Sequence, residues 1–132
     1  MSEKYLFDTY ALICLIQDRA SYRRFADSII ITTQYNLIEL YYSVLQEYGE
    51  TTAKDVYLRY KNCLVSVTDD VIYKAMALRL RMKRKNPKCN LSYVDCIGYE
   101  CAKSLKIPFV TGDKEFKDMD DVVFVDSGSD RK

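Results

Sequence analysis

The chain contains no histidine, so any metal site or proton chemistry in it has to be built from other side chains. Its five cysteines, Cys14, Cys63, Cys89, Cys96 and Cys101, include no Cys-x-x-Cys pair. An odd count without that spacing speaks against a zinc site or a disulfide framework. Buried, small apolar side chains are the expectation for all five, with pairing left open. Neither GxxxxGK[ST] nor GxGxxG occurs, which removes the common phosphate-cradling loops. With a net charge of +1 there is no global positive field, and contact with nucleic acid has to rest on a local patch. No apolar run approaches membrane-spanning length. The early run YLFDTYALICLI is broken by Asp8 and is not followed by a small-residue cleavage site, so a cytoplasmic protein without membrane contact is expected. Internal repeats and low-complexity linkers are also missing. The 132 residues suffice for one domain with a proper core, expected over residues 1–126, with residues 127–132 a polar, disordered tail.

What is present is organised around residues 90–116, NLSYVDCIGYECAKSLKIPFVTGDKEF. This stretch reads as a helix, a turn at Ile107-Pro108, a short apolar strand, and Thr111-Gly112-Asp113 at the strand's carboxyl end. Asp95 opens the helix and Asp113 ends the strand. Earlier in the chain, Lys4 to Phe7 predicts a strand that stops at Asp8, with Thr9 as the N-cap of the following helix. A second helix is expected over residues 21–27, then a β-branched strand at Ile29-Ile30-Ile31. Thr32 and Thr33 precede a long helix through Tyr48, closed by Gly49, whose apolar stripe is Leu37, Ile38, Tyr41, Val44, Leu45 and Tyr48. Glu39 lies with Asn36 and Ser43 on the neighbouring stripe. A further helix to about Asn62, a strand at residues 64–67, and a helix capped by Thr68 follow. Val122 to Val125 is the last strand. Short, continuous apolar strands alternating with helices predict an α/β fold with a buried, mostly parallel sheet.

Four acids fall where such a fold can bring them together: Asp8 and Asp113 at strand ends, Glu39 and Asp95 on helices. Ligands collect outside the carboxyl ends of parallel strands. A ring of carboxylates suits hard cations such as Mg²⁺ or Mn²⁺, which polarise phosphodiesters and lower the pKa of water. Each acid also has a plainer reading. Ser92-x-x-Asp95 matches a capping box, Asp8 and Asp113 match turn residues, and Glu39 matches a solvated helix position. Against the plain reading, Asp95 sits among Val94, Ile97, Cys101, Ala102 and Leu105, and a carboxylate beside a core calls for a cation or several donors.

In LFDTYALI around Asp8, NLIEL around Glu39, and LSYVDCIGYECAKSLKIPFVTGD followed by KEF around Asp95 and Asp113, the chain resembles the PIN-domain nucleases. The likeness is to the branch of VapC-like toxins and small archaeal PIN proteins, and it covers nearly the whole chain. It implies a three-layer α/β/α sandwich with roughly four or five short strands. It also implies a Mg²⁺- or Mn²⁺-dependent endoribonuclease holding one or two ions, a homodimer, and, for a toxin, a small antitoxin over the acidic cleft. Asp8, Glu39, Asp95 and Asp113 match the family's acids, and Thr9 and Thr111 its supporting hydroxyls. Family members place small residues after the third acid, whereas this chain has Tyr99 and Glu100. Asp118 is a more distant candidate ligand.

Arg79, Arg81, Lys83, Arg84, Lys85 and Lys88 form a run without acids just before Ser92. They fit either the solvated end of a helix or phosphate contacts that guide RNA toward the acids. The twelve tyrosines fit core or dimer packing better than base stacking. Two other functions stay in view. One is a PIN fold that binds RNA or protein without turnover, or a housekeeping nuclease without an antitoxin. The other is an aspartyl-phosphate enzyme using Asp8, disfavoured because Tyr10 stands where its second acid belongs.

Overall fold

The computed structural model describes residues 3–126 and holds a five-stranded, all-parallel sheet with helices on both faces. The tail expected to be disordered lies outside the described residues. The strands are β1 (Lys4–Phe7), β2 (Ile29–Thr33), β3 (Leu64–Val65), β4 (Phe109–Thr111) and β5 (Val122–Phe124). The helices are α1 (Thr9–Ile16), α2 (Gln34–Tyr48), α3 (Glu50–Tyr60), α4 (Asp69–Lys85) and α5 (Tyr93–Leu105). In space the strands run β3-β2-β1-β4-β5, so the chain winds outward from β1 in one direction and then in the other. The reversal falls between β1 and β4, which pair through Leu6↔Phe109 and Phe7↔Val110.

The period of two along a strand explains the three layers. Leu6 and Phe7 are both fully buried, yet they belong to different cores. Phe7 and Val110 pack with Leu12 and Phe25, and with Leu37 and Leu40 of α2, on one face. Leu6 and Phe109 pack with Val71 and Leu78 of α4 and Ile97 of α5 on the other. Each such side chain contributes roughly 1.5–3 kcal/mol by leaving water. No helix among the described residues is long and apolar enough to cross a membrane.

Several boundaries depart from sequence expectation. The segment after α1 is a 3₁₀ helix, Ala20–Phe25, whose Tyr22 and Phe25 are buried while its basic residues Arg23 and Arg24 are exposed. Helix α1 is capped by Asp8 rather than Thr9: Ala11 N donates to Asp8 Oδ1 at 2.7 Å. On α2 the buried arc is Asn36, Leu37, Leu40 and Val44, whereas Ile38 and Tyr48 are exposed. The shift follows from α2 packing against both α1 and α3. All five cysteines are free thiols, four of them buried.

Tyr99 and Glu100 are accommodated away from the acids. Tyr99 stacks on Phe116 with ring centroids 5.4 Å apart and donates its hydroxyl to Asp120 O. Glu100 is buried and lines a separate pocket with Lys74, Lys103, Ser104 and Lys106.

Candidate active site

At the carboxyl end of the sheet, beside the reversal point, lies a cavity of ≈ 440 Å³ lined by Asp8, Thr9, Tyr10, Ile13, Glu39, Ser92, Asp95, Gly112 and Asp113. The fold therefore brings all four acids to one space, and no basic side chain among the described residues lines it. Crevices at a reversal of strand order are where open parallel sheets bind ligands, because the loops diverge there.

Each acid is held by a different local device. Asp8, the residue after β1, is 2% exposed and acts as the α1 N-cap. Its other oxygen, Oδ2, accepts from Thr111 Oγ1 at 2.5 Å. The same Thr111 hydroxyl accepts from Asp113 N at 3.0 Å, so one side chain at the end of β4 ties both strand-end acids together. Asp113 also accepts from Glu115 N at 2.9 Å, which starts a short 3₁₀ turn. Asp95 forms the capping box in full: Ser92 N donates to Asp95 Oδ2 and Asp95 N donates to Ser92 Oγ, both at 3.0 Å. Cap and cavity wall are not alternatives here, since a carboxylate at the third helical position reaches back over the helix mouth and into the cleft.

Glu39 is oriented by a relay that starts in β2. Thr33 donates to Asn36 Oδ1 at 2.6 Å, Asn36 Nδ2 donates to Thr9 Oγ1 at 3.2 Å, and Thr9 donates to Glu39 Oε1 at 2.7 Å. Asn36 is fully buried and was not singled out as a site residue from sequence. Its signal was the spacing of three from Glu39 on one helix stripe. Gly112 is required by Tyr10, because a Cβ at that position would stand 2.4 Å from the Tyr10 ring.

Burial and mutual repulsion shape the charges. Burial, opposed by the Thr111 and Ala11 hydrogen bonds and reinforced by the charges of Asp95 and Asp113, pushes the Asp8 carboxyl up to about 7. Asp113 is also raised, by burial first and then by Asp95 and Glu115. Carboxylates whose charges raise the pKa of Asp8 and Asp113, in a cavity lined by no cation among the described residues, present the donor chemistry of a hard-cation site. Among the described residues no three are drawn close enough to form a ready-made coordination group. The open cavity instead leaves room for an ion that keeps part of its water shell, as Mg²⁺ does.

The basic residues are placed elsewhere. None of the six lines the acidic cavity, and none forms an ion pair with a carboxylate among the described residues. Arg79 Nε donates to Leu91 O at 3.1 Å and Lys83 Nζ to Cys89 O at 2.9 Å, so both brace the loop that leads into Ser92. Arg81, Arg84, Lys85 and Lys88 are exposed. Asp118 is exposed and does not line the cavity.

A doubly wound parallel sheet with four carboxylates gathered at its reversal point defines a class of α/β proteins with an acidic cleft. Within that class the chain belongs to the PIN domain family, whose model matches residues 5–122. No curated protein matches it in sequence. Solved structures with a similar fold include VapC20 of Mycobacterium tuberculosis, a toxin that cleaves the sarcin-ricin loop. It has a TM-score of 0.72 at 16% identity, over 92% of this chain and 98% of that one. VapBC2 of Rickettsia felis, bound to a DNA fragment from its promoter, also gives 0.72 at 16% identity, over 93% and 99%. A toxin–antitoxin complex from Klebsiella pneumoniae gives 0.70 at 19% identity, over 90% and 95%.

Proposed function

We propose that the protein is a metal-dependent endoribonuclease of the VapC-like toxin type, acting in the cytoplasm. The observation that carries this reading is the convergence of Asp8, Glu39, Asp95 and Asp113 on one cavity that no basic side chain among the described residues lines. These four acids are the metal ligands and catalytic carboxylates, with Thr9 and Thr111 as their positioning partners. Bound among them, one or two Mg²⁺ or Mn²⁺ ions supply Lewis-acid activation of water and charge neutralisation at the phosphodiester.

The chain's own contribution is to hold negative charge at fixed places against its natural tendency to disperse. Thr111 keeps Asp8 and Asp113 in register, and the Thr33–Asn36–Thr9 relay aims Glu39. Without a cation, the four acids repel an RNA phosphate. The exposed cations Arg81, Arg84, Lys85 and Lys88, together with Arg79 and Lys83, supply the phosphate contacts. An acidic cleft of this kind suits a small antitoxin bearing basic side chains, and two of the similar folds come from toxin–antitoxin assemblies. For the expected homodimer, Tyr35, Ile38 and Tyr42 offer an exposed apolar stripe on α2.

Asp95→Asn is the test. Asparagine keeps an acceptor for Ser92 N, so the capping box survives while the charge is lost. Incubated with single-stranded RNA and Mn²⁺, the parent should cleave and the variant should not, with both inert in chelator. Unchanged cleavage by a folded Asp95→Asn protein would sink the assignment.

A further inference from the structure

Tyr93 is the first residue of α5, directly after Ser92 in the cavity wall and two before Asp95. It is 59% exposed, an unusual state for a large aromatic beside a candidate active site. Its ring is nonetheless held in place. The Arg79 guanidinium carbon lies 4.6 Å from the ring centroid, and Arg79 is itself fixed by its bond to Leu91 O. Other tyrosines are exposed as well, Tyr35, Tyr42, Tyr48 and Tyr73 among them. Among the described residues, Tyr93 alone of the tyrosines has a cation over its ring.

We propose that the Tyr93 ring, backed by Arg79, is a stacking subsite for a nucleobase of single-stranded RNA whose neighbouring phosphate enters the acidic cleft. The inference rests on the nuclease reading and adds to it a base-binding position and a strand preference. A guanidinium on one side of the ring fixes its orientation and favours an electron-rich partner on the other. Unstacked bases bind aromatic and Arg planes with little sequence preference, because every base has a π-face. Pre-positioning by Arg79 lowers the ordering cost at the moment of binding. Consecutive Cα atoms are about 3.8 Å apart, so the ring and the cavity wall at Ser92 lie within the span of a dinucleotide. Arg79 also places its charge beside the base rather than in the cleft, where it would neutralise the acids. A base inside a duplex is already stacked on both faces and cannot use the platform.

The experiment is carried out on the full chain with Asp95→Asn as the non-cleaving parent. It uses a short RNA carrying one 2-aminopurine, whose fluorescence is quenched by stacking. Tyr93→Ala should weaken single-strand binding roughly 5- to 100-fold, the range seen when stacking aromatics are truncated. It should also abolish the quench, while Tyr93→Phe retains both. Inorganic polyphosphate, which has no base, should bind equally to parent and Tyr93→Ala, as should duplex RNA. Single-strand affinity within two-fold of the parent, or an equal loss toward polyphosphate, overturns the stacking subsite. If Tyr93→Ala binds RNA normally while the active protein still cleaves it, only this inference falls. If the protein with Asp95 intact does not cleave RNA and the Asp95→Asn parent does not bind it, the nuclease reading falls with it.

Discussion

Two regions of the molecule handle charge in opposite ways. The cleft collects Asp8, Glu39, Asp95 and Asp113 in partly or fully buried positions, where their charges repel and burial raises the pKa of Asp8 and Asp113. The end of α4 and its following loop collect six cations, five of them exposed, where water screens them and the helix dipole favours them. The first region carries the denser network: Thr111, Thr9, Asn36, Thr33 and Ser92 all serve an acid or a residue that orients one, whereas of the six cations Arg79 and Lys83 each hold one loop carbonyl. Arrangements that are unfavourable by themselves persist only where the surrounding structure over-determines them, and they cluster at functional sites. A solvated basic helix end needs no such support. The comparison thus assigns geometric precision to the acids and only approximate placement to the cations.

The sharpest break in that comparison is removal of one cleft charge. Asp95→Asn should lower cleavage by at least about 10³-fold while leaving the thermal midpoint within a few degrees, since the capping box keeps its acceptor. Next comes the linkage between Asp8, pH and metal. Asp8 ionises at 3.8 ordinarily and at about 7 in the folded protein, so between those values the native state binds more protons than the unfolded chain. Its contribution to stability therefore falls as pH rises through that window, the reverse of a salt-bridged carboxylate. In chelator, Asp8→Asn should be more stable than the parent at pH 8, and the gap should narrow at pH 5. Adding Mg²⁺ should stabilise the parent at pH 8, by about 2.7 kcal/mol at a hundredfold excess over Kd, and stabilise the variant much less. A gap that widens toward acid would contradict the burial of an ionisable Asp8.

Much of this was legible in the sequence, and the reasons differ by element. Strand β1 and its terminal acid were visible because a short apolar run stopped by Asp-Thr has few other readings. The parallel sheet followed from short, continuous apolar strands alternating with helices, whereas the spatial order β3-β2-β1-β4-β5 is visible only in the fold. The α1 cap differs from expectation because Asp and Thr are adjacent and both favoured at N-caps, and the fold decides which oxygen reaches Ala11 N. The exposed Ile38 and buried Leu40 reflect α3, a tertiary partner that periodicity along α2 cannot contain. The six-residue segment Ala20–Phe25 is too short for propensity to separate 3₁₀ from α geometry. Asn36 was visible only as a stripe neighbour of Glu39, because a buried amide carries no further signature. Its role exists only once Thr33, Thr9 and Glu39 are brought beside it.

Asn36 also gives an intermediate test. Asn36→Ala removes the acceptor of the Thr33 hydroxyl and the amide that donates to Thr9 Oγ1, which should cost about 1–3 kcal/mol by denaturant midpoint. Because Glu39 loses its aim while Asp8 keeps Thr111 and Ala11, metal affinity should drop with the pH signature of Asp8 retained. Loss of both together would mean that the two halves of the cleft are not independently supported.

The smallest effects are expected among the cations, and they divide the basic run in two. Arg81→Ala, Arg84→Ala, Lys85→Ala and Lys88→Ala remove exposed charges with no partner carboxylate, so stability should stay within about 0.5 kcal/mol. Each that contacts a phosphate should flatten the dependence of log affinity on log salt by about 0.7 for single-stranded RNA. The resulting few-fold loss of binding should be clear at low salt and fade as salt rises. Lys83→Ala should behave differently, because its ammonium donates to Cys89 O and braces the approach to Ser92. It should lower the thermal midpoint as well as the affinity, and part of its affinity loss should survive at high salt, since a loosened loop is not a screened charge. Identical salt dependence and identical stability for Lys83→Ala and Arg84→Ala would show that the loop contact contributes nothing, and that the whole basic run acts as one diffuse field.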